Sequence, residues 1–169
     1  MIRMSVLTVV LAGAFALPGV AFELQGFRSC ASVAEARAVA ARSGLSLRFD
    51  AVMPLEDGGE GEGYFVGEGA TARIGLVFSD GKLIRASKQL DGGVDAFAAT
   101  LEVLGDELGQ PLTEARAVQQ KLSEPISIVM ATWSVQGSER KALTLTKVAN
   151  MVSTSVLDSI DRRECSRRD

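Results

Sequence analysis

The chain predicts an α+β fold: an antiparallel sheet of about six to seven strands, two or three helices packed on one face, and ends joined by a disulfide. Three observations carry this reading. Strands with period-two alternation follow one another across turns too short for a parallel crossover. Two stretches carry helix-capping chemistry or helical periodicity. The only two cysteines, Cys30 and Cys165, stand near opposite ends of the chain that an N-terminal leader would leave behind.

That leader is residues 1–21. Met1-Ile-Arg-Met is a short n-region with one basic residue, Ser5 to Val20 is an apolar h-region, and Gly19-Val20-Ala21 offers small residues at the −3 and −1 positions of a signal-peptidase site. An apolar run of about 18 residues is also long enough for a membrane anchor. Pro18-Gly19 breaks the run just before the site, however, which favours cleavage and a mature N-terminus at Phe22. Cys30 follows Phe-Arg-Ser rather than a small-residue lipobox, so a lipoprotein is not expected. Residues 22–169 then form a single α+β domain with an ordered core over about 30–165, in the periplasm or outside the cell. No later apolar run approaches membrane-spanning length, so no stable insertion follows cleavage. In an oxidising compartment a lone cysteine pair is most simply a structural bridge, Cys30–Cys165.

The first helix begins at Ser32, where Ser32-Val-Ala-Glu35 has the spacing of a capping box, and ends at Ser43-Gly44. Leu45, Leu47 and Phe49 alternate with polar residues as a strand does. Glu56-Asp-Gly-Gly-Glu-Gly-Glu-Gly63 reads as a mobile, solvated loop, because its glycines are permissive and its carboxylates repel. Order resumes at Tyr64. Ala72, Ile74, Leu76 and Phe78 alternate up to a two-residue hairpin turn at Asp80-Gly81, and Leu83 to Leu90 returns. Asp91 or Gly92 opens the best helix, with Val94, Phe97, Ala98, Leu101, Leu104 and Leu108 on one buried stripe and Gly109 and Pro111 as its stop. Thr113 to Leu122 reads as a further short helix. Three strands complete the chain: Ile126–Val135 with Trp133 in the core, Lys141–Val148, and a last strand whose Val152, Thr154 and Val156 share a face. The two halves look like loosely matched helix-plus-hairpins units, with no residue-level repeat.

Composition excludes more chemistry than it suggests. The chain has no histidine, which removes Ser-His-Asp and Cys-His catalysis and imidazole zinc sites. No phosphate-cradling glycine pattern follows a strand, and no cofactor is expected. The net charge of −3 gives no reason to bind nucleic acid. Ser138-Glu-Arg-Lys141 has the Ser-x-x-Lys spacing of penicillin-binding acyltransferases, without their companion motifs and in an expected hairpin turn. Glu56, Asp57, Glu60 and Glu62 offer oxygen ligands of the kind calcium takes, but in neither the EF-hand nor the nonapeptide spacing, so millimolar affinity is the most to expect. The long helix carries Asp95, Glu102, Asp106 and Glu107 and no basic residue. Arg162, Arg163, Arg167 and Arg168 of the tail either lie against the C-terminal end of that helix or form a second, separately solvated face, since exposed ion pairs contribute little. The hydroxyl row Thr144, Thr146, Ser153 and Ser155 suits a glycan or partner strand, or simply the watered side of a sheet.

These observations favour a non-catalytic exported module that binds an envelope protein or a small apolar ligand. Two other classes compete with it. One is a carboxylate-dependent hydrolase of an envelope glycan, with acids drawn from Asp50, Glu56, Asp57 or Glu60. The other is an acidic inhibitor or chaperone presenting the Glu56–Glu62 loop to a basic target.

Overall fold

The computed structural model describes residues 22–55, 58–67, 73–118 and 125–167; the leader lies outside them. A small hairpin, β1 (Glu23–Leu24) and β2 (Phe27–Arg28), leads into α1 (Val33–Arg42). Four strands follow: β3 (Ser46–Pro54), β4 (Glu60–Gly67), β5 (Ile74–Ser79) and β6 (Lys82–Leu90). The order then repeats with α2 (Gly93–Leu108), β7 (Leu112–Val118), β8 (Ile126–Ser134), β9 (Arg140–Val148) and β10 (Met151–Ser159), before a short α3 (Arg162–Ser166). The α+β class is as expected, with eight strands in the main sheet and a separate two-stranded one.

The main sheet is antiparallel in the order β3-β4-β5-β6-β10-β9-β8-β7. It consists of two helix-plus-four-strand units that meet through their last strands, β6 and β10, paired from Leu90↔Thr154 to Arg85↔Ser159. The loosely matched halves of the sequence are therefore one topology used twice. Each unit places its first strand at an outer edge and its last at the centre.

Local chemistry explains the elements. Ser32 caps α1 in a complete capping box: its hydroxyl accepts from the Glu35 N–H at 3.2 Å, and the Glu35 carboxylate accepts from the Ser32 N–H at 2.7 Å. That bond, and then the one from the Ser32 hydroxyl, hold Glu35 below the ordinary glutamate range. Asp80 and Gly81, at φ 51° and 73°, make the β5–β6 turn, both in the left-handed region that a two-residue hairpin demands.

Both long helices cover the same face. Residues paired across strands share a face, as do residues two apart along one. Ala36 and Ala40 of α1 bury against a cluster with Val66, Leu76, Phe78, Leu83 and Ala86, joined by Phe22 and Phe27. Leu104 of α2 buries against Ala131, Trp133 and Leu143, with Phe97, Leu101 and Leu108 half-buried beside it. Trp133 is 2 % exposed, and its indole N–H donates to the Gly109 carbonyl at 2.8 Å, closing the end of α2. Between the two apolar clusters, one row across the sheet reads Ala86, Asp158, Lys141, Trp133. Asp158 is 1 % exposed, and its carboxylate accepts from the Lys141 ammonium. The Cys30–Cys165 disulfide, with Cα atoms 5.2 Å apart, pins α3 to the first unit.

Three expectations are corrected. Glu60 to Gly63 is not a loop but the start of β4, paired with Ala51–Pro54. Its glycines are steric necessities: a methyl carbon on Gly61 would lie 2.9 Å from Leu55 Cδ2 and from Val77 Cγ1, and one on Gly63 2.6 Å from Met53 Cε. Gly61→Val is expected to lose about 1–3 kcal/mol by overpacking, read in a urea titration; unchanged stability would mean that Leu55 and Val77 move aside freely. Second, Leu112–Val118 is an edge strand rather than a helix, because pairing with β8 along its whole length outweighs the helical preference of its residues. Gln119, Gln120, Lys121 and Leu122 of that expected helix lie outside the described residues. Third, two members of the expected stripe are exposed: Ala98, and Val94 at 57 %, since at the start of α2 it is Gly93 that approaches the sheet, against Val152. Of the basic tail, Arg168 lies outside the described residues. The disulfide holds α3 at the first unit, where Arg167 pairs with Glu164 at 3.3 Å.

Candidate functional site

With α1 and α2 on one side, the opposite face of the sheet is free of both long helices. Its centre is built of small and hydroxyl side chains. Thr144 pairs with Ser155 and Thr146 with Ser153, and Ser87 lies across from Leu157. Thr132 of β8 extends the same row. The hydroxyl row seen in the sequence therefore sits on the side away from both long helices.

An apolar strip flanks those hydroxyls. Ile126, Ile128 and Met130 of β8 are half-buried and point to this side. Next to them on β7, Leu112 is 67 % exposed and Val118 44 % exposed. On the far flank Phe65 of β4 is also exposed. A strand with isoleucine on the side away from the helices, and Val129 and Ala131 on the side beneath them, is apolar on both faces. That double character was the available signal, and a search for alternation alone passes over it.

At one end of this face lies a cavity of about 260 Å³. Arg85, Arg140 and Arg162 reach it from β6, β9 and α3, beside the hydroxyls of Ser134 and Ser159. Glu139 and Asp161 share its wall, so the arginines stand among acids. These residues are far apart in sequence, and no spacing rule gathers them.

The residues singled out from sequence fall elsewhere. Glu56 and Asp57 lie outside the described residues. Glu60 and Glu62 stand two apart on a paired strand, not on flexible backbone, and the Glu62 carboxylate accepts from the Tyr64 hydroxyl at 3.0 Å. Partial burial first, and this bond second, raise the Tyr64 phenol above its ordinary value. No group of three or more potential metal-ligating side chains occurs among the described residues. Asp50 occupies the bulge in mid-β3 and Glu60 pairs with Pro54 at the end of the ladder, so the structure does not bring these two acids together. Ser138 and Lys141 are also directed apart: the Ser138 hydroxyl accepts from the Asp161 N–H at 3.3 Å, while Lys141 serves Asp158.

Comparison with protein-family models, with curated proteins and with solved structures finds no match to this chain.

Proposed function

We propose that this chain is an exported, non-catalytic binding module of the cell envelope, and that an envelope protein docks on the face of its sheet away from both long helices. The observation that carries the reading is that face itself: hydroxyl rows of Thr144, Thr146, Ser153 and Ser155 beside an apolar strip of Ile126, Ile128, Met130, Leu112 and Val118. An apolar strip rimmed by polar groups is the composition of a protein-binding surface. Export is supported by the leader-like residues 1–21 and by the Cys30–Cys165 bridge. No helix among the described residues is long and apolar enough to cross a membrane. A small apolar ligand is less well served, because the cavity at the end of the face is walled largely by charged and hydroxyl side chains.

Photo-crosslinking amino acids placed in living cells at Thr146 and Ile128, and on the outer side of α2 at Glu102 and Val103, test this directly. Adducts with one envelope protein are expected from the first pair and not from the second. The captured chain is expected to have the mass of a product beginning at Phe22. Adducts from α2 alone, or none from the face, would overturn the assignment.

A further inference from the structure

The two edges of the sheet are built differently. At one, β3 carries a bulge at Asp50 and ends in Pro54, both devices that blunt an edge against further pairing. At the other, β7 is hydrogen-bonded among the described residues on one side only, to β8, in unbroken register from Leu112↔Thr132 to Val118↔Ile126. It contains neither proline nor glycine, and all its residues except Glu114 are exposed.

We propose that β7 pairs antiparallel with β7 of a second copy of this chain, about a two-fold axis through Ala115. The sequence Leu112-Thr-Glu-Ala-Arg-Ala-Val118 is complementary to itself under that operation. Glu114 meets Arg116 of the other copy, Leu112 meets Val118, Thr113 meets Ala117, and Ala115 meets Ala115. Glu114 and Arg116 already pair at 2.5 Å within one strand, so the dimer makes a square in which every charge has two opposite neighbours. The square also fixes the register. Sliding the copies by two residues either way keeps the faces matched but sets Glu114 against Glu114 or Arg116 against Arg116, and like charges directly opposite are destabilising.

The two exposed apolar residues of the strand, Leu112 and Val118, become each other's cross-strand partners. Small Thr113, Ala115 and Ala117 on the helix side leave room for the approach. The operation is of the kind by which β6 meets β10 inside the chain, so it joins two eight-stranded sheets into one of sixteen with all long helices on one side. The apolar strips of the two copies then adjoin. The inference rests on the β7 edge alone and stands whether or not another protein docks on the face.

Sedimentation equilibrium of the purified, disulfide-intact protein, from micromolar to millimolar concentration, tests it. A monomer–dimer equilibrium is expected. Glu114→Arg or Arg116→Glu alone turns both charge pairs repulsive and should raise the dimer Kd about tenfold or more, while the double swap Glu114→Arg/Arg116→Glu restores it. A second measurement leaves the charges untouched. In Ala115→Cys the two thiols face each other on the axis and should oxidise to a linked dimer faster than those of Thr113→Cys, which sit off it. A monomer at every concentration overturns the proposal. So does a dimer indifferent to either single swap, a double swap that fails to restore pairing, or equal crosslinking at both cysteine positions.

Discussion

Replacing Asp158 by alanine is expected to remove about 3–5 kcal/mol of stability, the usual consequence of deleting one member of a buried ion pair. Asp158 is 1 % exposed and Lys141 opposite it is three-quarters covered, so the ammonium left behind has little water to turn to. The loss comes from the charge that remains, not from the worth of the pair. Lys141→Met alone should therefore be costly too, since it strands the carboxylate. Lys141→Met with Asp158→Leu should recover most of the deficit, because apolar replacements of both partners fit between Ala86 and Trp133. Urea titrations of Asp158→Leu, Lys141→Met and their combination, compared as a cycle, measure this alongside Asp158→Ala. If Asp158→Ala costs under about 1 kcal/mol, water reaches the pair and the seam between the two clusters is open.

Cys30→Ala/Cys165→Ala is expected to cost up to about 5 kcal/mol, from the loop-closure entropy restored to the unfolded chain. The bridged residues are 135 apart in sequence, which puts this bond near the upper end of what a single bridge supplies. The native structure loses something as well. Cys165 is 2 % exposed in the first core cluster, and it carries the five-residue α3, too short to persist unaided. The denaturation midpoint of the double variant against the oxidised protein gives the figure. A difference under about 1 kcal/mol would show that the unfolded chain stays compact without the bond.

Much of this fold was legible because its signals are local. The Ser32 capping box, the Asp80-Gly81 turn, the alternation from Ile74 to Phe78 and the stripe from Phe97 to Leu108 each express a rule that works within a few residues. The cysteine pair needed only compartment chemistry. What escaped reading depended on partners distant in sequence. Thr-Glu-Ala-Arg-Ala has helical preference and no buried face to betray a strand, and only its pairing with Thr132–Ile126 makes it one. Glu60-Gly-Glu-Gly63 looks like a linker until Met53, Leu55 and Val77 are seen lying over the glycines. The hydroxyl row was visible as a row. That it faces away from both helices, beside Ile128 and Met130, follows from the sheet order and was not visible beforehand.

The last strand among the described residues, β10, lies at the middle of the sheet, hydrogen-bonded to the closing strand of the first unit on one side and to its own unit on the other. A chain emerging from its N-terminus thus has to wait. Until residues 151–159 arrive, β6 presents a bare edge and the first apolar cluster lacks Ile160 and Cys165. Assembly is completed from within rather than at a margin, and neither unit acts as a finished template for the other. The interval during which β6 stays open covers the making of residues 91–150. That interval is when a sheet of this kind is most exposed to pairing with the wrong neighbour, and it is β10 that ends it.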